Sequence, residues 1–154
     1  MGDAPDKAAS VTLHATAIAV DGRAALLFGA SGSGKSDLAL RCLIPAVRLG
    51  GRVVTPELVA DDQVEIALKD GRLVCRPPST IAGRLEVRGL GILDVPHVTN
   101  ARVALAVVLD GPPAERMPEP AARQILGIEI PEIRLSPFEA SAPMKLLLAL
   151  HRVR

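Results

Sequence analysis

The chain has 154 residues, with 18 basic side chains against 17 acidic ones for a formal net charge of +1, 49% apolar residues and 1% aromatic. That length suits one domain with a core of its own, so neither a disulfide scaffold nor a multidomain organisation is required, and the balanced charge supplies no basic field for nucleic acid or an anionic membrane. Two Phe with no Trp or Tyr leave no stacking platform of the kind that single-stranded nucleic-acid binders use, and a nucleotide base, if one binds, is expected between aliphatic side chains.

Residues 1 to 9 are small, polar and charged and read as a disordered tail ahead of a single domain over 10–154. The acidic start Met1-Gly2-Asp3-Ala4-Pro5-Asp6 lacks the apolar segment of a secretory signal, and Asp6 stands where a myristoylation site needs Ser or Thr. The longest apolar runs, Ala24 to Phe28 and Leu146 to Leu150, fall far short of the roughly 20 residues of a membrane-spanning helix. No membrane partner is therefore expected, and the expected compartment is the cytoplasm. Val11 to Asp21 alternates, with Val11, Leu13, Ala15, Ala17 and Ala19 on one face, then turns at Asp21-Gly22 into the apolar run from Ala24, a hairpin signature. After a glycine-rich stretch, Lys35 to Leu49 repeats Leu38, Leu40, Cys42, Leu43 and Val47 at helical spacing, with Pro45 as a kink or break and Gly50-Gly51 as the stop.

Val53 to Ala60 is apolar, interrupted by Pro56, and runs into Asp61-Asp62. Val64 to Leu68 and Arg72 to Cys75 flank Lys69-Asp70-Gly71, a second hairpin signal. Ser79 to Val95 holds Gly83, Gly89 and Gly91 and reads as a flexible segment near something that must approach closely. Val103 to Leu109 has the pattern of a fully buried strand, residues 111–120 form a proline-rich loop, Ala121 to Leu126 suits a short helix, and Phe138 to His151 suits a Leu-rich terminal helix. Hairpins mixed with helices imply an α/β domain with a mixed sheet. Cys42 and Cys75 have no CxxC partner and no metal-type spacing to His14, His97 or His151, so they read as buried free thiols.

The strongest chemical signal is Gly29-Ala30-Ser31-Gly32-Ser33-Gly34-Lys35-Ser36, a full G-x-x-x-x-G-K-[ST] match between an expected strand and an expected helix. In such a loop the glycines let backbone N–H groups converge on phosphate oxygens, the helix N-terminus adds to the field, Lys35 reaches the outer phosphates and the Ser36 hydroxyl binds Mg2+. Asp61-Asp62 at the end of an apolar run has three readings: metal ligand, catalytic base, or an acidic turn that ends a strand. Following a phosphate loop, two carboxylates can divide the work, one on the metal and one on a proton. His14 shares the polar-facing set of its strand with Thr12 and Thr16 and reads locally as a solvated or hydrogen-bonded histidine. Glu86 and Arg88 fall on one side of an extended segment, either to meet an anionic, metal-bearing ligand or as a surface ion pair.

The combination GASGSGKSDLAL, VADDQVEI and LEVRGLGILDV resembles the catalytic domain of HPr kinase/phosphorylase, a bacterial protein-serine kinase with a P-loop. The likeness is good from about His14 to Val95 and weaker beyond, where IEIPEIRLSP is similar to the family's carboxyl-terminal stretch. It implies a single P-loop kinase domain with a mixed sheet and flanking helices, of the PEP carboxykinase-like kind. It implies ATP and Mg2+ as cofactors, an HPr-type phosphocarrier protein as acceptor, and a phosphate-dependent reverse reaction. By the same resemblance Gly29 to Ser36 bind the nucleotide phosphates, Lys35 acts on them, Ser36 and Glu86 hold Mg2+ with Asp62 beside them, and Asp61 accepts the serine proton. His14 and Arg116 are carried over as further catalytic residues, and family members form hexamers, so a homo-oligomer is expected.

This sequence departs from the family in four ways. The separate amino-terminal domain is not present, which gives the expectation of a stand-alone catalytic domain; the connector from Lys35 to Asp61 is longer; the segment from Val95 to Arg102 is shorter; and Leu135-Ser136-Pro137-Phe138-Glu139-Ala140 stands where the family has a basic stretch associated with dephosphorylation. Forward transfer is accordingly expected to outrun the reverse. Two other functions fit a P-loop in this setting. One is a small-metabolite kinase, whose lid would have only Arg116 and Arg123 to offer; the other is a regulatory module that binds ATP without transferring phosphate.

Overall fold

In the computed structural model, which describes residues 9–44 and 47–153, the alternating stretch that begins the domain is two strands. β1 (Ser10–His14) and β2 (Thr16–Val20) part at Ala15, and β2 turns through Asp21-Gly22 into β3 (Arg23–Phe28) with Val20 opposite Arg23. The expected alternation survives the break. Ala15, Ala17 and Ala19 line one buried cluster, with Val11 and Leu13 packed against it, while Ile18 and Val20 enter another on the opposite face. Residues 1–8 of the expected tail lie outside the described residues.

β3 delivers the glycine loop, and α1 (Lys35–Leu43) follows it. The helix is shorter than the periodicity predicts. It ends at Leu43, with Ile44 as a cap of helical geometry that donates to Leu40 O at 3.2 Å; Pro45, which cannot donate to a helix ladder, lies outside the described residues. Val47 belongs to β4 (Val47–Leu49), which pairs with β5 (Arg52–Val54) around Gly50-Gly51, so the expected helix stop is a hairpin turn.

β6 (Glu57–Ala60) leads through Asp61-Asp62 into β7 (Gln63–Lys69), which turns at Asp70-Gly71 into β8 (Arg72–Arg76) as the sequence predicts. The glycine-bearing segment is ordered as the hairpin β9 (Arg84–Val87) and β10 (Gly91–Asp94). Its close approach is to His97, whose Nδ1 would lie 2.6 Å from any Cβ at position 83. β11 (Ala101–Val108) is the expected buried strand. The short helix expected over Ala121 to Leu126 is instead β12 (Ala121–Ile125), paired with β13 (Ile128–Arg134) across Leu126-Gly127. Ala, Arg, Gln and Leu are good helix formers, but such propensity is worth only tenths of a kcal/mol per residue, and pairing with β13 in the sheet overrides it. The terminal helix α2 (Ala142–Arg152) begins four residues later than predicted, because Pro143 is tolerated only in a first turn.

Nine strands form one mixed sheet in the order β1-β7-β8-β11-β3-β2-β6, with β13 beside β11 and β12 beside β13. β3, β11 and β13 run parallel, so their C-terminal ends share one edge. Both helices cover one face, where Leu38, Cys42, Leu146, Leu147 and Leu150 bury against β2, β3 and β11. Each fully buried Leu there contributes about 1.5–3 kcal/mol. The other face is closed by the sheet's own curl, which brings Val64, Ile66, Leu73 and Cys75 of β7 and β8 onto the alanines of β2. No helix is long and apolar enough to cross a membrane among the described residues.

Candidate active site

The glycine loop joins β3 to α1 at the edge where parallel strands end, the usual place for ligands in α/β sheets. Gly34 caps α1 with φ 99°, a left-handed conformation that costs glycine least. A Cβ at Gly29 would meet Ser33 Oγ at 2.3 Å, so the loop closes on itself only with glycine there. Lys35 is buried and folds back over the loop. Its Nζ donates to Gly29 O at 2.7 Å and Ala30 O at 3.3 Å, and sits 3.3 Å from His14 Nε2. An ammonium has only donors, so Nε2 is the ring nitrogen placed to accept from it and Nδ1 the one placed to donate. Nδ1 lies 3.4 Å from Asp62 Oδ1.

The Asp61-Asp62 turn is built by hydrogen bonds around a left-handed residue, Asp62 with φ 67°. Ala15 N donates to Asp62 O at 3.1 Å, and Gln63 N to Asp61 O at 2.8 Å. Asp61 Oδ1 accepts from Ser36 Oγ at 2.6 Å and from Thr16 Oγ1 at 3.1 Å, while Oδ2 accepts from Glu86 N at 3.2 Å. The carboxylate in contact with Ser36 is thus that of Asp61, and that of Asp62 faces His14. The side chains of Lys35, Ser36, Asp61, Asp62 and His14 and the backbone N–H of Glu86, drawn from positions 14 to 86, meet at one place.

Two sequence candidates stand apart. Arg116 is exposed in the 111–120 loop, without a hydrogen bond or ion pair to the other site residues among the described residues. Arg123, the other cation available to a lid, belongs to β12, where it pairs with Glu132 at 2.7 Å and lies 3.9 Å over the Phe28 ring. Glu86 and Arg88 are both exposed and form no ion pair with one another among the described residues.

Thr16 is the functional residue that sequence reading passes over. Its side chain is fully buried, and its one hydroxyl donates to Asp61 and accepts Asp62 N at 3.2 Å. The sequence places it two residues after His14 on the same face, but a threonine in an alanine-rich strand otherwise reads as an ordinary strand former. Asp110, just past β11, is a second such residue: its Oδ2 accepts Ala30 N at 3.0 Å and ties the loop to its neighbour strand.

Among the described residues no three His, Cys, Asp or Glu side chains cluster to cage a metal alone. Mg2+ needs less, one or two side chains plus substrate phosphates, and the Ser36 hydroxyl, hydrogen-bonded to the Asp61 carboxylate, is a group of that kind; Glu86 reaches Asp61 through its backbone N–H, with its side chain exposed. The two thiols lie elsewhere. Both are free and buried, and burial pushes each up to about 12, against the smaller opposing pull of Arg41 on Cys42 and of backbone N–H groups on Cys75.

Residues 6–147 match the model of the family described as HPr Serine kinase C-terminal domain. Curated relatives named HPr kinase/phosphorylase include that of Clostridium beijerinckii, 45% identical over 91 residues, which is 58% of this chain and 27% of the relative. That of Clostridium tetani is 42% identical over 98 residues, 64% of this chain and 28% of the relative. The chain thus spans just over a quarter of the length of these relatives. Among solved structures, the Hpr(Ser) kinase/phosphatase from Coxiella burnetii superposes with a TM-score of 0.72 at 26% identity, covering 90% of this chain and 88% of that one.

Proposed function

The chain belongs to the HPr serine kinase C-terminal domain family, and from that premise we propose that it is an ATP-dependent protein-serine kinase whose acceptor is an HPr-type phosphocarrier protein. The observation that carries the reading is the meeting of Lys35, Ser36, Asp61, Asp62 and His14 around one glycine loop. Loop N–H groups and the start of α1 receive the phosphates, and Lys35, now resting on Gly29 O and Ala30 O, exchanges those carbonyls for the more strongly attracting phosphate oxygens. Held by the Ser36 hydroxyl, with the Glu86 and Asp62 carboxylates as the further ligands that the family resemblance implies, Mg2+ would neutralise charge on the transferred group.

The remaining chemistry is removal of the acceptor's hydroxyl proton, and Asp61 is the base. Its Oδ1 is occupied by two hydroxyl donors, whereas Oδ2 holds only Glu86 N, leaving a lone pair for the incoming serine. His14 is the bridge that keeps Lys35 and Asp62 in register. The reverse reaction, phosphate attacking phosphoserine, would gather negative charge that Leu135 to Ala140 does little to offset. Its one charged residue, Glu139, is acidic and bound to Lys145 at 2.7 Å, so ATP-driven transfer is the faster direction.

The test is mass spectrometry of an HPr-type protein after incubation with the chain, ATP and Mg2+. A gain of one phosphate on a serine, lost in Lys35→Ala, is the expected result. ATP binding with no phosphate transfer to any acceptor overturns the kinase reading in favour of a binding module.

A further inference from the structure

β3, β11 and β13 end side by side, with Leu109 N donating to Phe28 O at 2.9 Å and Leu135 N to Val108 O at 3.1 Å. The loops that follow them enclose a cleft of about 250 Å³ walled by Leu109, Pro112, Pro113, Leu135, Pro137 and Phe138. Asp61 follows β6, two strands to one side of β3; the cleft opens on the other side, toward β11 and β13. Neighbouring strands lie about 4.8 Å apart, so the cleft is within one or two strand spacings of the glycine loop. Ser33 forms the shared wall, and its Oγ is buried without a hydrogen-bond partner.

Phe138 is the unusual feature of this cleft. It is one of two aromatic residues in the chain, yet 72% exposed. Its backbone is held on both sides, because Arg41 of α1 donates to Pro137 O and, at 3.2 Å, to Glu139 O. The ring tip lies beside the glycine loop, with Cε1 and Cζ 3.1 Å from where a Cβ of Gly34 would stand. An exposed ring on a fixed backbone contributes little to the core and much to a flat ligand. The only carboxylate on the cleft wall, that of Asp110, is committed to Ala30 N.

We infer that this cleft is the nucleobase subsite, with the base of the bound nucleoside triphosphate stacked on Phe138 and flanked by Pro112, Pro113 and Leu109. The inference rests on the glycine loop holding the phosphates. It assigns the base to one aromatic face in addition to the aliphatic walls that composition led us to expect. Recognition is by stacking and apolar burial, since among the described residues no free charged side chain on the wall reads the base edge.

Calorimetry on the full chain with two probes, ATP and inorganic tripolyphosphate, each with Mg2+, separates base from phosphate. Phe138→Ala should weaken ATP roughly tenfold, the usual loss of one base–aromatic stack, and leave tripolyphosphate unchanged, while Phe138→Tyr restores ATP affinity. Loss of both probes in equal proportion, or ATP affinity within twofold of wild type in Phe138→Ala, overturns the subsite. Lys35→Ala should lose both probes. If it binds both as wild type does, the phosphate-loop reading itself fails, and the base subsite with it.

Discussion

Replacing Thr16 by Val removes one oxygen from the centre of the candidate site while keeping shape and volume. The hydroxyl donates to Asp61 at 3.1 Å and accepts Asp62 N at 3.2 Å, in a residue with no solvent exposure. A hydrogen bond to a carboxylate contributes about 1.5–3 kcal/mol net, and an N–H stripped of its acceptor costs about 1–3 kcal/mol when buried, the low end applying to the exposed Asp62. Asp61 keeps Ser36 and Glu86 N as donors, so the lower ends apply and the sum is about 2–3 kcal/mol, or about 4–12 °C in Tm for a chain of this length. Thr16→Ser retains both hydrogen bonds and loses one methyl, which costs about 1 kcal/mol. Urea unfolding of the three proteins, with phosphate transfer measured on the same samples, gives the comparison. Val should be less stable than Ser and should lose transfer more than tenfold, as the Asp61 carboxylate and the Asp62 backbone lose their common anchor. A Val variant within 0.5 kcal/mol of wild type and fully active would refute the idea that Thr16 builds the Asp61-Asp62 turn.

Asp61→Asn keeps size and polarity but removes the basic oxygen, so transfer should fall about 10²- to 10⁴-fold with a modest change in ATP affinity; if Asp62→Asn is the inactive variant and Asp61→Asn works normally, the assignment within the pair is reversed. Burial holds the Cys42 thiol at about 12 against an ordinary 9.0. Above pH 9 the unfolded chain therefore binds fewer protons than the folded one, and stability falls as pH rises toward 12, by about 1.4 kcal/mol per pH unit for each such thiol. Urea unfolding between pH 8 and 11 should show a shallower decline in Cys42→Ala than in wild type, and equal slopes would remove the thiol as the cause.

Local pattern determined much of this protein. Asp-Gly turns at 21–22 and 70–71, the buried strand ending at Val108, the glycine loop between strand and helix and the two buried thiols are legible because each depends on a few neighbouring residues with their own conformational preferences. Where the periodicity misleads, a proline or a distant partner intervenes: α1 stops at Leu43 just ahead of Pro45 in the sequence, Pro143 delays α2, and pairing with β13 makes a strand of Ala121–Ile125. The chemistry divides the same way. Lys35, Ser36 and the acidic pair announce themselves by motif, and His14 and Glu86 by resemblance. Only the folded sheet shows that Asp61 touches Ser36 while Asp62 faces His14, that a buried Thr16 joins the two, and that Phe138 stands beside the glycine loop. Those relations span 25 to 104 residues of chain, and they follow from which strands lie side by side, a choice made by the burial of both sheet faces together rather than by any local segment.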